Sequence, residues 1–369
     1  MVKYVVWLLV VALVLLFFVF PFLLNYALHN GYDFKSMSRW LDGIQWLQTF
    51  AMHSFVYLWI TFLGSCFASF LNVVAWRVPR GRSILGSSHC PHCEAQLSFI
   101  DNIPIFGWLN NGGQCRSCAA PIAVRYLIVE FLLGAVFLWL FLIEVIWGGM
   151  NLPIRPDLQQ TGVEFVLFTP NWFLILTFAF HATLMCGLFT IAMIASEHKR
   201  IPVLVIFFAA IFLVAIASTW PHVVQVPLGA GVSMVTDWPS KTFSRTSLYT
   251  MVIGGVAGVI AGTIAVEIGR TGRSRSLATA CEEDNDSADA PSVGAAVVTS
   301  MGLVGLSLGW QSAIWVLLIW CCCNPILKRI LPNGILAVVS NGSAVAMFAT
   351  IVHLTFWCWQ MPLKIWLNE

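Results

Sequence analysis

The chain has 369 residues, of which 59% are hydrophobic, 14% aromatic and 10% charged, with a mean hydropathy of +0.84. Soluble chains carry about 25% charged residues, so this one lacks the polar groups to cover a water-exposed surface, which excludes a soluble enzyme. A formal net charge of +2 leaves no electrostatic footprint for a nucleic-acid partner.

Hydrocarbon offers no hydrogen-bond partners, so a spanning segment must be a helix that satisfies its own backbone. Charge-free runs of about 20 residues predict spans over 4–28, 50–76, 126–148, 170–195, 201–219, 249–266, 293–308, 311–327 and 333–358. The seventh is short and glycine-rich, and the turn Gly309-Trp310-Gln311 after it is tight, so the expected count is eight or nine. The first run follows Lys3 but exceeds the roughly 7–15 apolar residues of a signal peptide, with no clear small-x-small cleavage site. It reads as a retained anchor. With the N-terminus inside, nine spans put 13 of the 19 cations on the cytoplasmic side, among them every arginine from Arg77 to Arg125. That excess follows the positive-inside rule and sets the N-terminus in and the C-terminus out. Residues 77–125 then form a cytoplasmic loop, 220–248 an outer loop, and 268–292 a solvated cytoplasmic loop running from basic to acidic.

Four of the 11 cysteines are arranged. Cys90-Pro91-His92-Cys93 and Cys115-Arg116-Ser117-Cys118 form two CxxC pairs with 21 residues between them. Two such knuckles complete a tetrahedral sulfur shell for zinc, and four thiolates leave no open position for catalysis, so the metal is structural. The separation sits just beyond the usual zinc-ribbon range. A disulfide or redox pair is the competing reading, opposed by the reducing cytoplasm. His89 and His92 flank the first knuckle and read as neutral surface groups. The remaining cysteines lie mostly in or beside spans, where they act as small hydrophobes.

Three ordered pieces carry a resemblance to a known family: GSCFASFLNVVAWRVPRG (64–81), HCPHC with DNIPIFGWL (89–93 and 101–109), and GGQCRSCAAPIAVRYLIVEFLLG (112–134). Together they resemble the N-terminal part of bacterial type IV prepilin peptidases. The resemblance implies a membrane-embedded aspartic endopeptidase of the bacterial inner membrane. Such enzymes remove the leader of type IV prepilins and type II secretion pseudopilins, and many methylate the new N-terminus with S-adenosylmethionine. It also implies three regions. Residues 1–50 are an extra N-terminal helix with an outer loop, 51–134 the peptidase-like N-terminal region with the four-cysteine loop, and 135–369 the helical body with the polar loop 268–292.

Aspartic proteolysis needs two carboxylates close enough to share a proton. Glu197-His198-Lys199-Arg200-Ile201-Pro202 resembles the stretch that follows the family's first aspartate, which puts Ala195 in that aspartate's place. Counting back from Leu308-Gly309-Trp310-Gln311, which resembles a family segment, puts Gly294-Ala295-Ala296-Val297 at the family's G-x-G-D, with Val297 in place of the second aspartate. None of the eight aspartates lies in an apolar span. The acids expected near the cytoplasmic site are Glu197, the candidate surrogate, and the cluster from Glu282 to Asp289.

Among other intramembrane polar residues, Glu130 is expected to pair with Arg125 or another cation at the cytoplasmic end, and Asn72 to bond a neighbouring helix. Glu144 shares the third span with Glu130 about four turns away, too far to share a proton. His181 and His353 read as neutral packing groups. The glycines of GGVAGVIAGT (254–263) include small-xxx-small spacings that favour close helix packing. No P-loop, dinucleotide fingerprint, G-x-S-x-G or H-E-x-x-H is present.

The expected fold is an all-α polytopic membrane protein with a small zinc-ribbon-like cytoplasmic insert. Two functions stay open: a processing enzyme for prepilin-like substrates, by leader cleavage or N-methylation, and an inactive relative that binds or helps assemble pilin-like helices. A transporter or sensor with a metal-binding insert is the third reading. In each the lipid bilayer is a partner.

Overall fold

The computed structural model describes residues 38–90, 92–149, 151–152, 162–197, 199–219, 245–277, 290–330 and 342–366. The expected first span 4–28, most of the outer loop 220–248 and the acids from Glu282 to Asp289 lie outside the described residues.

The elements in chain order are α1 Ser38–Arg77, α2 Phe106–Asn110, α3 Arg125–Phe141, α4 Val163–Phe168, α5 Trp172–Ser196, α6 Val203–Thr219, α7 Arg245–Leu277, α8 Ala290–Leu308, α9 Trp310–Ile330 and α10 Gly342–Trp366. No strand occurs among the described residues; two isolated bridges, His89 with Gln96 and Gln114 with Pro121, are the only β pairings there. Four stretches are long and apolar enough to cross a bilayer: Leu47–Arg80, Arg125–Ile146, Trp172–Ser196 and Leu248–Ile268. Four more, Val203–Ala217, Gly294–Leu308, Trp310–Asn324 and Ser343–Thr355, are apolar but shorter within the described residues. The protein is thus an all-helical polytopic membrane protein, with a helix over the described part of each predicted span from the second onward. The question raised by the short seventh span is answered at Gly309. Its φ of +86° interrupts the chain between α8 and α9, a backbone state that glycine adopts without steric cost.

The chain divides into two compact units, residues 1–59 and 60–369. In the first, the described stretch is the opening of α1, where Phe55 and Trp59 stack and Phe50 and Leu58 are exposed. Among its described residues the second holds one apolar cluster. Within it α5 packs against α3, α6, α8 and α10, α7 runs along α8, and α9 leans on α7, α8 and α10. Large apolar side chains also point outward, such as Phe207, Phe208 and Phe212 on α6 and Val252, Val256 and Ile260 on α7. In water these faces would be aggregation sites; in hydrocarbon they cost nothing.

Hydrocarbon gives no hydrophobic drive between helices, so close packing must come from small residues. Gly254, Gly258 and Gly262 on α7 meet Gly305, Met301 and Val298 of α8 at backbone-to-backbone distance, as the 254–263 spacing predicts. Gly64 of α1 and Gly134 of α3 do the same for the first pair of spans, Gly64 against Phe137 and Gly134 against Thr61 and Ser65. The Ser65 hydroxyl then lies 3.0 Å from the Glu130 carbonyl of α3 and donates to it. α3 ends in a π turn, Leu142–Ile146, followed by Gly148 and Gly149 at positive φ.

Candidate functional site

The loop between α1 and α3 folds as two matched knuckles. The Cys90 N–H donates to Ala95 O and the Glu94 N–H to Cys90 O; the Cys115 N–H donates to Ala120 O and the Ala119 N–H to Cys115 O. Glu94 and Ala119, each four residues after its knuckle's first cysteine, both have φ of +57°. The same tight turn, made twice, brings the four sulfurs within 4.8 Å of one another. Cys90 and Cys118 stand 3.8 Å apart, Cys93 and Cys115 3.9 Å. With Zn–S bonds of about 2.3 Å, tetrahedral geometry asks for sulfur separations of about 3.8 Å, so the donor set fits zinc in both chemistry and size. Neither flanking histidine joins the cluster; His89 lies beside Ser87 and His92 is exposed.

Backbone N–H groups of Cys118 and Ser117 hold the Cys115 thiol down to about 6, which favours the thiolate that a metal requires. The Ala120 N–H also favours the Cys118 thiolate, but the neighbouring sulfurs and burial outweigh it and push that thiol up to about 12. The chain is expected to carry one zinc. It should hold the metal at neutral pH and release it in acid, because protons compete with the metal for the thiolates. Metal per chain by atomic emission after dialysis reads this directly, and Cys118→Ser should lower zinc retention at every pH.

Around the knuckles, Asp101 accepts from the Ser98 hydroxyl at 2.6 Å and N–H at 3.0 Å and from Asn111 Nδ2 at 2.8 Å, and pairs with Arg116 at 2.8 Å. The Ser98 and Asn111 bonds, with the Arg116 charge, hold its carboxyl below the usual range.

The candidate surrogate Glu197 lies at the C-terminal end of α5, between two arginines. Arg80, just after α1, is 2.8 Å from one carboxylate oxygen, and Arg125, at the start of α3, binds the other. One carboxylate therefore ties the ends of three spans. Among the described residues its charge is met by two guanidinium groups. Ala195 and Val297 are buried in the same apolar cluster, 1% and 3% exposed, beside Ile194, Ala296 and Met301. Glu267, which the sequence inventory of acids passes over, is on the exposed side of α7, next to Val266, which packs near Gly294. Its signal in the sequence was present: a lone acid three residues before Arg270 near the end of a span.

Three expectations are corrected. Glu130 does not pair with Arg125; its carboxylate accepts from the Ile105 N–H at 2.7 Å and from the Ser69 hydroxyl. Asn72 makes no bond to a neighbouring helix through its amide nitrogen, which is buried without a partner. His181 is no isolated packing group. Its Nδ1 is 2.6 Å from Glu144 Oε1, and Asn151 Nδ2 donates to the same oxygen at 2.9 Å, all three residues being fully buried. His353 bonds Ser312 at 3.0 Å within the core.

Residues 62–143, which contain both knuckles, Arg80 and Arg125, match the family model of the bacterial peptidase A24 N-terminal domain. Over this region the chain resembles the prepilin leader peptidases. The prepilin leader peptidase/N-methyltransferase of Myxococcus xanthus is 49% identical over 76 residues, covering 20% of this chain and 23% of that one. The type 4 prepilin-like proteins leader peptide-processing enzyme of Escherichia coli O78:H11 is 37% identical over 103 residues (23% and 37%). The prepilin leader peptidase/N-methyltransferase of Klebsiella pneumoniae is 36% identical over 107 residues (26% and 46%). The chain therefore spans less than half the length of these relatives. No solved structure matches it.

Proposed function

We propose that this chain is a prepilin-peptidase-like protein of the bacterial inner membrane that holds prepilin or pseudopilin helices without cleaving their leaders. The cysteine loop faces the cytoplasm, as the distribution of cations suggests. The similarity of residues 62–143 to proteins that process prepilins supports the substrate class. The observation that carries the inactive reading is the state of Glu197. Proton relay between two acids needs one protonated and one ionised partner, whereas this carboxylate faces Arg80 and Arg125, and Ala195 and Val297, at the positions matched to the family's two aspartates, have no proton to give.

The chain's own residues act here by binding. The knuckles, with zinc among Cys90, Cys93, Cys115 and Cys118, brace the loop between α1 and α3, and the Glu197 pairs hold the ends of α1, α3 and α5 together. When bound, the metal supplies charge and crosslinking and leaves no open coordination site.

The test is incubation of membranes containing the chain with a prepilin, in a strain without other leader peptidase activity, followed by intact mass. The expected result is recovery of the chain with full-length prepilin bound and the leader intact. Loss of the leader mass that disappears with Glu197→Gln or Glu267→Gln would restore the processing enzyme. A methyl increment dependent on S-adenosylmethionine would assign the chain to N-methylation.

A further inference from the structure

The segment 99–109 presents four large apolar side chains to the outside of the protein: Phe99 is 84% exposed, Phe106 65%, Leu109 55% and Ile100 53%. They do not project from a loose loop. The Ser98–Asp101–Asn111–Arg116 bonds close the segment across its polar side, Trp108 Nε1 donates to Ile122 O at 3.2 Å, and Pro104 and Gly107 are buried. Gly107 sits so close to the Asp101 carbonyl that a Cβ would overlap it.

The level at which this segment is fastened says what covers it. The Ile105 N–H bonds the Glu130 carboxylate, and the Ser69 hydroxyl bonds the same group. Glu130 lies five residues inside α3 from Arg125, and Ser69 eight residues inside α1 from Arg77. At 1.5 Å per residue these are depths of about 8 Å and 12 Å along the two spans. With Arg77 and Arg125 taken as the membrane surface, and each headgroup layer only about 5–7 Å thick, Ile105 is fastened at the level where headgroups give way to acyl chains. Trp76, with Arg80 and Arg82 stacked on its ring at 5.0 and 4.9 Å, stands at the end of α1, on the headgroup side of that level. Interfacial elements of this kind combine an aromatic and arginine belt with an apolar face buried about 5–10 Å into the boundary.

We infer that residues 99–109 form an interfacial wedge seated in the bilayer between α1 and α3, with Phe99, Ile100, Phe106 and Leu109 in contact with lipid. The knuckles then stand on the membrane surface, held by the metal on one side and by lipid on the other. The occupant is the bilayer, because the wedge is fixed at membrane depth by the same carboxylate that lies inside a membrane span.

The experiment uses the full chain in nanodiscs of phosphatidylethanolamine and phosphatidylglycerol. A benzophenone amino acid is placed at position 99, 106, 96 or 207, one at a time, and irradiated. Position 207 is an apolar face of a span and 96 an exposed polar position of the first knuckle. Lipid adducts at positions 99 and 106 should match those at 207 and exceed those at 96 by about tenfold or more. Unchanged zinc content reports that each labelled chain is folded. Lipid yields at 99 and 106 equal to that at 96 would overturn the wedge. So would adducts formed chiefly with a second copy of the chain, or with an added prepilin, either of which would make this face a protein-docking surface.

Discussion

Gly258→Leu is expected to leave no folded protein in detergent, read as loss of the monodisperse peak and of helical signal after solubilisation. A Cβ at position 258 would overlap the Met301 carbonyl oxygen of α8, and the same holds for Gly254 against the carbonyl of Gly305. The overlapped atoms are backbone in the middle of a helix, so no side-chain rotation relieves the clash. The helices must separate, and α7 makes its closest packing with α8. Overpacking in a core that can adjust costs about 1–3 kcal/mol; here even alanine should reach the top of that range, and leucine should exceed the whole margin of stability. Gly255→Ala supplies the contrast. It lies one position around the helix, where a Cβ would meet Leu306 at 3.5 Å, an ordinary contact, and it should fold.

That helix pair was legible in the sequence because its cause is local: glycines four apart on one helix face, in a solvent that rewards only close approach. The metal site was legible for a similar reason. Each knuckle is a short turn whose two cysteines are three residues apart, and the second copy repeats the first. The Glu197 clasp was not legible. Arg80, Arg125 and Glu197 sit on three different spans, and nothing in the neighbourhood of any one of them names the other two. Glu130 shows how a local reading misleads. Arg125 is five residues away, and at 100° per residue that places it well round the helix from Glu130, outside the three- and four-residue spacings that meet. Arg125 instead faces α5, and the carboxylate is satisfied by a loop N–H that sequence spacing could not place. Glu144 and His181 meet for the same tertiary reason, across α3 and α5.

Glu197→Ala is expected to destabilise the protein by about 3 kcal/mol, the lower end of what breaking a buried ion pair costs, because the three side chains keep partial access to solvent at 15–29% exposure. The reasoning starts from the helix. A carboxylate at a helix C-terminus faces the negative end of the macrodipole, which works against it by about 0.3–1 kcal/mol. Glutamate is therefore a poor residue for this position unless cations offset that cost, and Arg80 and Arg125 both do. Removing the carboxylate leaves two guanidinium groups facing each other with no anion between them, so the loss exceeds that of a single surface pair. Arg80→Gln should cost less than Glu197→Ala, because Arg125 and Glu197 still pair. Combining Glu197→Ala with Arg80→Gln should recover part of the deficit, since one of the two opposed charges is gone. Thermal unfolding in a fixed detergent measures all three. A structural clasp predicts this non-additive pattern together with unchanged prepilin mass, whereas a catalytic Glu197 predicts lost cleavage with stability nearly preserved in Glu197→Gln.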